Sequence, residues 1–338
     1  VQAQRPAVPS GLSVWVTGNA ADATVAVVGG PCAILMGGGT DVDTAFRDFA
    51  YPKLPGGDVV VLRSSGSNGY NDYLYAQLTT GANRPNSVET MLLNTKAKAD
   101  TAYAEWVLDT AEFIFMAGGD QSDYMNYWAG TKTSAALSRA WARGAVIGGT
   151  SAGMAVMGQF IYDPDGVEAA TGTTAIANPY NSGIIISGRL FPASILDNVI
   201  TDSHFQQRNR MGRQMAFLAR LRQDSRATAP VAISSNENTA LCIDGTGLGT
   251  VHGSGFVYVM RESPATTRNQ VATGQPLIYK NVQRAKLAAG QTIKLPTLET
   301  TAGWMPLSVD GTNAATPFTP ADPYVDFTAP KEEGWTAK

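Results

Sequence analysis

The stretch "GAVIGGTSAGMAVMG", residues 144–158, contains a β-branched apolar run, a glycine-flanked serine and then a run of good helix formers. Gly149-Thr150-Ser151-Ala152-Gly153 fits G-x-S-x-G, the sharp strand-to-helix elbow that lifts a hydroxyl above the carboxyl end of a sheet. In a chain with 35 glycines the pattern alone is cheap, and a tight turn with a capping serine satisfies it equally. Its context decides: a strand before, a helix over "SAGMAVMGQF" after, and small residues that let the chain reverse. Read this way, Ser151 is a candidate nucleophile.

The same strand-turn-helix unit recurs on the N-terminal side. "AILMGG" (33–38), "DVVVLR" (58–63), "VETMLL" (88–93), "EFIFMAGG" (112–119) and "GAVIGG" (144–149) are continuous apolar runs. Between them lie helix-like segments such as "DVDTAFRDFA", "AKADTAYAEWVLDTA" and "SAALSRAWARG". Runs that do not alternate polar and apolar residues belong to strands buried on both faces, so the rhythm predicts an α/β fold with a doubly wound, mostly parallel sheet. Ligands in such folds gather at the carboxyl ends of the strands. Beyond residue 225 the texture is strand-like ("PVAISS", "NTALCID", "GTVHGSGFVYVMR", "QPLIYKNVQRAKL", "GQTIKLP"), predicting further sheet edge and a β-rich C-terminal appendage. The Pro- and Thr-rich tail from 300 reads as irregular. With no repeat and no low-complexity linker, residues 1–338 read as a single catalytic domain: an N-terminal β extension (1–30), a core (31–245) and a β-rich C-terminal region (246–338).

Composition narrows the function. The 338 residues are 44% hydrophobic and 16% charged with a net charge of -3, and no run approaches the roughly eighteen apolar residues of a membrane span. Nucleic acid is not an expected partner, because its phosphates call for clustered positive charge. The start "VQAQRPAVPS" fits a mature product after removal of a signal peptide, hence a secreted or periplasmic location. Cys32 and Cys242 lie in apolar runs and read as buried free thiols. With only two histidines in the chain, no metal centre and no cofactor are expected.

A serine hydroxyl needs a base, and the choice is between His204 and His252. His204, in "VITDSHFQQRNRMGR", follows an apolar run at a strand end, whereas His252 sits inside the β-like "GTVHGSGF" and reads as an edge or core residue. Glu237, in "ISSNENTALCI", lies between two apolar runs, where its carboxylate can orient an imidazole. The order Ser, His, Glu differs from that of α/β-hydrolases, so an esterase of that fold is disfavoured. Arg208, Arg210 and Arg213 follow the histidine. On an ideal helix Arg210 and Arg213 stand about 60° apart. Arginine forks bind carboxylates, so the cluster points to an acidic substrate; an amphipathic surface helix is the plainer reading.

Together "GGTSAG", "FMAGGDQ", "DSHFQQRNRMGR" and "NENTAL" resemble the cyanophycinases and their relatives among the S51 serine peptidases. The resemblance runs from about Gly37 to Asp244 and implies a flavodoxin-like fold similar to that of class I glutamine amidotransferases. It implies Ser151 as nucleophile, His204 as general base, Glu237 as the residue orienting it, and the Gly119 and Ala152 N–H groups as the oxyanion hole. Gln121, Asp202, Ser203, Arg208, Arg210 and Arg213 become substrate contacts, with Asp202 placed to meet a substrate guanidinium. The implied activity is exopeptidase hydrolysis of cyanophycin, a β-Asp-Arg polymer, to β-Asp-Arg dipeptides by a homodimer. Three features depart from the pattern: Ser203 stands where glutamine is common, "SDYMNYW" after the "GGDQ" turn lacks a lysine common near the start of that helix, and Val42 stands where a lysine is usual. Two alternatives therefore stay open: a related S51 peptidase acting on other aspartyl or isoaspartyl peptides, and a catalytically silent binding module on the same fold.

Overall fold

The computed structural model describes residues 3–329. Six strands build the first part of the chain: β1 (Ser13–Gly18), β2 (Cys32–Met36), β3 (Asp58–Arg63), β4 (Ser87–Leu92), β5 (Phe113–Met116) and β6 (Val146–Thr150). They join one sheet in the order β1-β4-β3-β5-β6-β2, parallel from β4 to β2, with β1 antiparallel at the edge. Beyond β2 the strand Thr239–Ile243 adds antiparallel, and three further antiparallel strands extend the sheet to ten. The sheet is thus mixed rather than mostly parallel: its parallel centre is flanked on both sides by antiparallel strands.

Successive residues of each central strand feed opposite cores, which explains the continuous apolar runs. Ile34, Val61 and Phe115 pack on one face, and Leu35, Leu62 and Met116 on the other. The second face is covered by helices Ala102–Asp109, Gln121–Trp128 and Lys132–Ala142, through residues such as Leu108, Trp128 and Leu137. Thr101 and Thr131 cap two of these helices with their side-chain oxygens. Cys32 and Cys242 are free and buried.

The β-rich region is more than an appendage of sheet edge. Val199–Asp202 and Val231–Ser235 pair in parallel and start a second, seven-stranded sheet, which continues antiparallel through Val257–Arg261, Ile278–Leu287 and Trp304–Asp310. Helix Met211–Gln223 packs on it over a core that includes Phe205, Met215, Phe217 and Tyr258. Trp304–Asp310 lies in the tail that the sequence predicts as irregular. Its Pro306 hides the strand signal, but Leu307 and Val309 are buried in alternation against Ile278–Leu287. Among the described residues no helix is long and apolar enough to cross a membrane.

Candidate functional site

The elbow forms where β6 ends. Ser151 is held at φ +54° and ψ -115°, a conformation that costs a side-chain-bearing residue about 1–3 kcal/mol and persists only where its surroundings enforce it. The glycines allow that enforcement. A Cβ on Gly149 would lie 2.3 Å from the Gly153 carbonyl carbon, and one on Gly153 would lie 2.0 Å from the Met116 oxygen. The following helix is a single turn, Ala152–Ala155, not the longer one predicted. The chain leaves it to pass under Val199, whose oxygen would be 2.5 Å from a Cβ on Gly158. So short a helix has little macrodipole; what it presents is the Ala152 N–H, which at its first position has no intrahelical acceptor. Gly118, after β5, sits beside the serine, with an added Cβ only 3.7 Å from that of Ser151.

His204 arrives from the other sheet, just past Val199–Asp202, also with positive φ (+46°). Its N–H donates to the Gly37 carbonyl at 2.8 Å. Glu237 stands in the turn where the chain crosses from Val231–Ser235 of the second sheet to Thr239–Ile243 of the first. Ser151 Oγ is 2.8 Å from His204 Nε2, and His204 Nδ1 is 2.6 Å from Glu237 Oε1. A carboxylate at Nδ1 favours the tautomer that donates there, which leaves Nε2 to accept the serine proton. Burial lowers the imidazole below its ordinary value, and the Arg208 and Arg210 charges act the same way; the hydrogen bond to Glu237 opposes them without overcoming them. The resting ring is therefore neutral at pH 7, as a general base must be.

The loop after β2 is a part of the site that the sequence reading did not assign. Gly38 has φ +92°, and a Cβ there would come within 2.3 Å of His204 Cε1. The Asn238 N–H donates to the Gly38 carbonyl at 2.9 Å, and the Asn238 side chain accepts from the Thr40 N–H at 2.7 Å. Gln207 Oε1 accepts from the Glu237 N–H at 3.0 Å. The triple glycine "GGG" at 37–39 was the available signal. The same loop lines a cavity of about 340 Å³ with Asp41, Asp43, Arg63, Tyr70 and Tyr73. Tyr70 donates to Asp41 at 3.0 Å and Tyr73 to Asp43 at 2.5 Å, and burial pushes the Asp41 carboxyl up to about 6.

The arginine cluster divides. Arg213 is buried and forks onto Asp202, with Nε to Oδ2 at 2.8 Å and Nη2 to Oδ1 at 2.7 Å, while its guanidinium lies over the Tyr162 ring. Asp202 is 3% exposed, so it faces the protein's own guanidinium and not a substrate's. Arg210 is the cap residue ahead of helix Met211–Gln223 rather than part of it. It donates to the Ser203 carbonyl at 2.8 Å and lies 3.4 Å from Asp202. Ser203 is buried. Arg208 is the exposed one of the three arginines. Gln121 donates to the Tyr162 carbonyl at 3.1 Å. His252 lies apart from this site, with Nδ1 2.9 Å from Thr44 Oγ1. Among the described residues no group of three or more His, Cys, Asp or Glu side chains is placed to hold a metal.

An α/β fold that sets a hydroxyl on an elbow in line with an imidazole and a carboxylate has the layout of a nucleophilic hydrolase site. The chain belongs to peptidase family S51, whose model matches residues 71–251, a little over half of it. It is similar to the cyanophycinase of Synechococcus elongatus, 27% identical over 213 residues, which are 62% of this chain and 61% of that protein. The match thus spans less than two thirds of that relative. The cyanophycinase of Geminocystis herdmanii (strain PCC 6308) is 28% identical over 207 residues, 60% of this chain and 70% of that one. The fold is shared with a peptidase from an acI-B1 Actinobacterium: TM-score 0.52, 15% identity, covering 79% of this chain and 97% of the other.

Proposed function

We propose that this protein is a serine peptidase with a class I glutamine amidotransferase-like core that hydrolyses β-linked aspartyl peptides through an acyl-enzyme on Ser151. The observation that carries the reading is the continuous relay from Ser151 through His204 to Glu237, at 2.8 and 2.6 Å. Ser151 Oγ attacks the amide carbon while its proton passes to His204 Nε2, and Glu237 steadies the imidazolium that forms. The negative oxygen of the tetrahedral intermediate takes hydrogen bonds from the Ala152 and Gly119 N–H groups. As the C–N bond breaks, His204 returns the proton to the leaving amine. Water then attacks the ester, giving its proton to the same nitrogen, and the acid product leaves as Ser151 Oγ regains its hydrogen.

Two charge features support a zwitterionic polymer such as cyanophycin. Arg208 is exposed four residues past the base, where it suits a carboxylate. The cavity bearing Asp41 and Asp43, on the loop that touches His204, suits a guanidinium. Asp202, already paired with Arg213, is a positioning residue in this scheme.

Two experiments test the reading. A fluorophosphonate should label Ser151 of the wild type, and Ser151→Ala should lower release of β-Asp-Arg from cyanophycin on the order of 10⁴-fold or more. Release by Ser151→Ala at the wild-type rate would refute the mechanism. Cleavage of isoaspartyl dipeptides with cyanophycin untouched would keep the mechanism and replace the substrate. A homodimer belongs to the same proposal and is read by sedimentation equilibrium.

A further inference from the structure

The segment from His204 to Arg210 is a tight turn that begins at the imidazole of the site. His204 and Asn209 both have positive φ, at +46° and +48°, in a turn closed by Arg208 N–H to His204 O (2.9 Å) and Arg210 N–H to Phe205 O (2.9 Å). Neither residue is glycine, so contacts from outside help to hold the turn.

That support comes from Tyr324, far along the chain and outside the residues matched to the family. Its hydroxyl accepts from the Met211 N–H at 3.1 Å and donates to Asn209 Oδ1 at 3.0 Å. Its ring meets Phe205, the neighbour of His204, edge-on at 5.9 Å. The backbone around it is strapped to the second sheet. Arg284, 1% exposed, donates to the carbonyls of Pro323 (2.7 Å) and Val325 (2.6 Å). Lys286 donates to the Tyr324 carbonyl (2.8 Å) and to Asp326 (2.7 Å). A buried guanidinium held by carbonyls is a costly way to fasten a segment, and an apolar contact would do for packing alone.

We propose that Tyr324, held by Arg284 and Lys286, is a positioning residue that sets the His204–Arg210 turn and so the aim of His204 at Ser151. The inference rests on the peptidase reading, but its principal readout does not. Because the chain has two histidines, ring titration by NMR resolves His204 with His252 as an internal reference. Arg208, Arg210 and Glu237 are the charged groups acting on His204.

In Tyr324→Phe the hydroxyl alone is lost. The turn loosens and exposes the imidazole, so the His204 titration should move up toward the ordinary histidine value while His252 stays in place. Fluorophosphonate labelling of Ser151 should slow roughly 10-fold, and kcat should fall with KM little changed. Lys286→Met, which slackens the strap without touching the ring, should shift both in the same direction by less. A lowered melting temperature with the His204 titration unchanged in both variants would overturn the proposal and leave Tyr324 a packing residue. A wild-type protein that takes no label would refute the peptidase reading, and the His204 titration would still decide this one.

Discussion

Ser151 and His204 both have positive φ, and Gly38 packs so closely on the His204 imidazole that a Cβ there would come within 2.3 Å of it. At the residue scale, unusual backbone thus falls on two members of the proposed relay. Gly38→Ala would drive a methyl into the imidazole at 2.3 Å, so kcat/KM should drop about 100-fold, with fluorophosphonate labelling slowed in step. The acid limb of kcat/KM should lie below the free-histidine value of about 6.5, because burial disfavours the imidazolium in the resting enzyme. Glu237→Gln removes the partner that raises the ring's proton affinity. The limb should shift further to acid while the rate falls between roughly 10²- and 10⁴-fold, as a pH–rate profile would show.

At the scale of elements, the strand Val199–Asp202 and helix Met211–Gln223 are locked by the buried fork between Asp202 and Arg213. Burial works to raise the Asp202 carboxyl, but the Arg213 charge and hydrogen bonds, aided by Arg210, outweigh it and hold it below its ordinary range. A depressed folded-state value means stability that is present above the unfolded value near 3.9 and is lost as pH falls through the folded one. Arg213→Met leaves that carboxylate buried with its main partner gone, which should cost about 3–5 kcal/mol in a urea titration at pH 7. Acidifying toward pH 3 should narrow the gap to the wild type. The arginines were legible as a group in "RNRMGR", but their division between solvent and interior was not. Helical spacing assigns a direction only once the helix start is known, and Arg210 turned out to lie before it.

Across the whole molecule, the relay spans the seam of two sheets: Ser151 leaves the first, His204 leaves the second, and Glu237 stands where the chain crosses between them. Ser235 Oγ donates across that seam to the Leu35 carbonyl at 3.1 Å, and Thr201 Oγ1 donates to the Met154 carbonyl at 2.8 Å. Ser235→Ala should therefore cost about 1 kcal/mol of stability, seen as a lower denaturation midpoint, and should also reduce kcat, although Ser235 touches no reacting atom.

The sequence by itself determined the parallel centre of the first sheet, because strands buried on both faces must be continuously apolar, and it determined the elbow, because a reversal that tight must be built from small residues. The motifs likewise pointed to Ser151, His204 and Glu237. Only the tertiary structure decided that the β-rich region is divided between the edge of the first sheet and a second sheet begun by Val199–Asp202 and Val231–Ser235, that Asp202 and Arg213 satisfy each other, and that Gly38 and Gln207 pack against His204 and Glu237. These depend on contacts between residues tens to hundreds of positions apart, and local periodicity and turn chemistry do not encode which distant surface a side chain will meet.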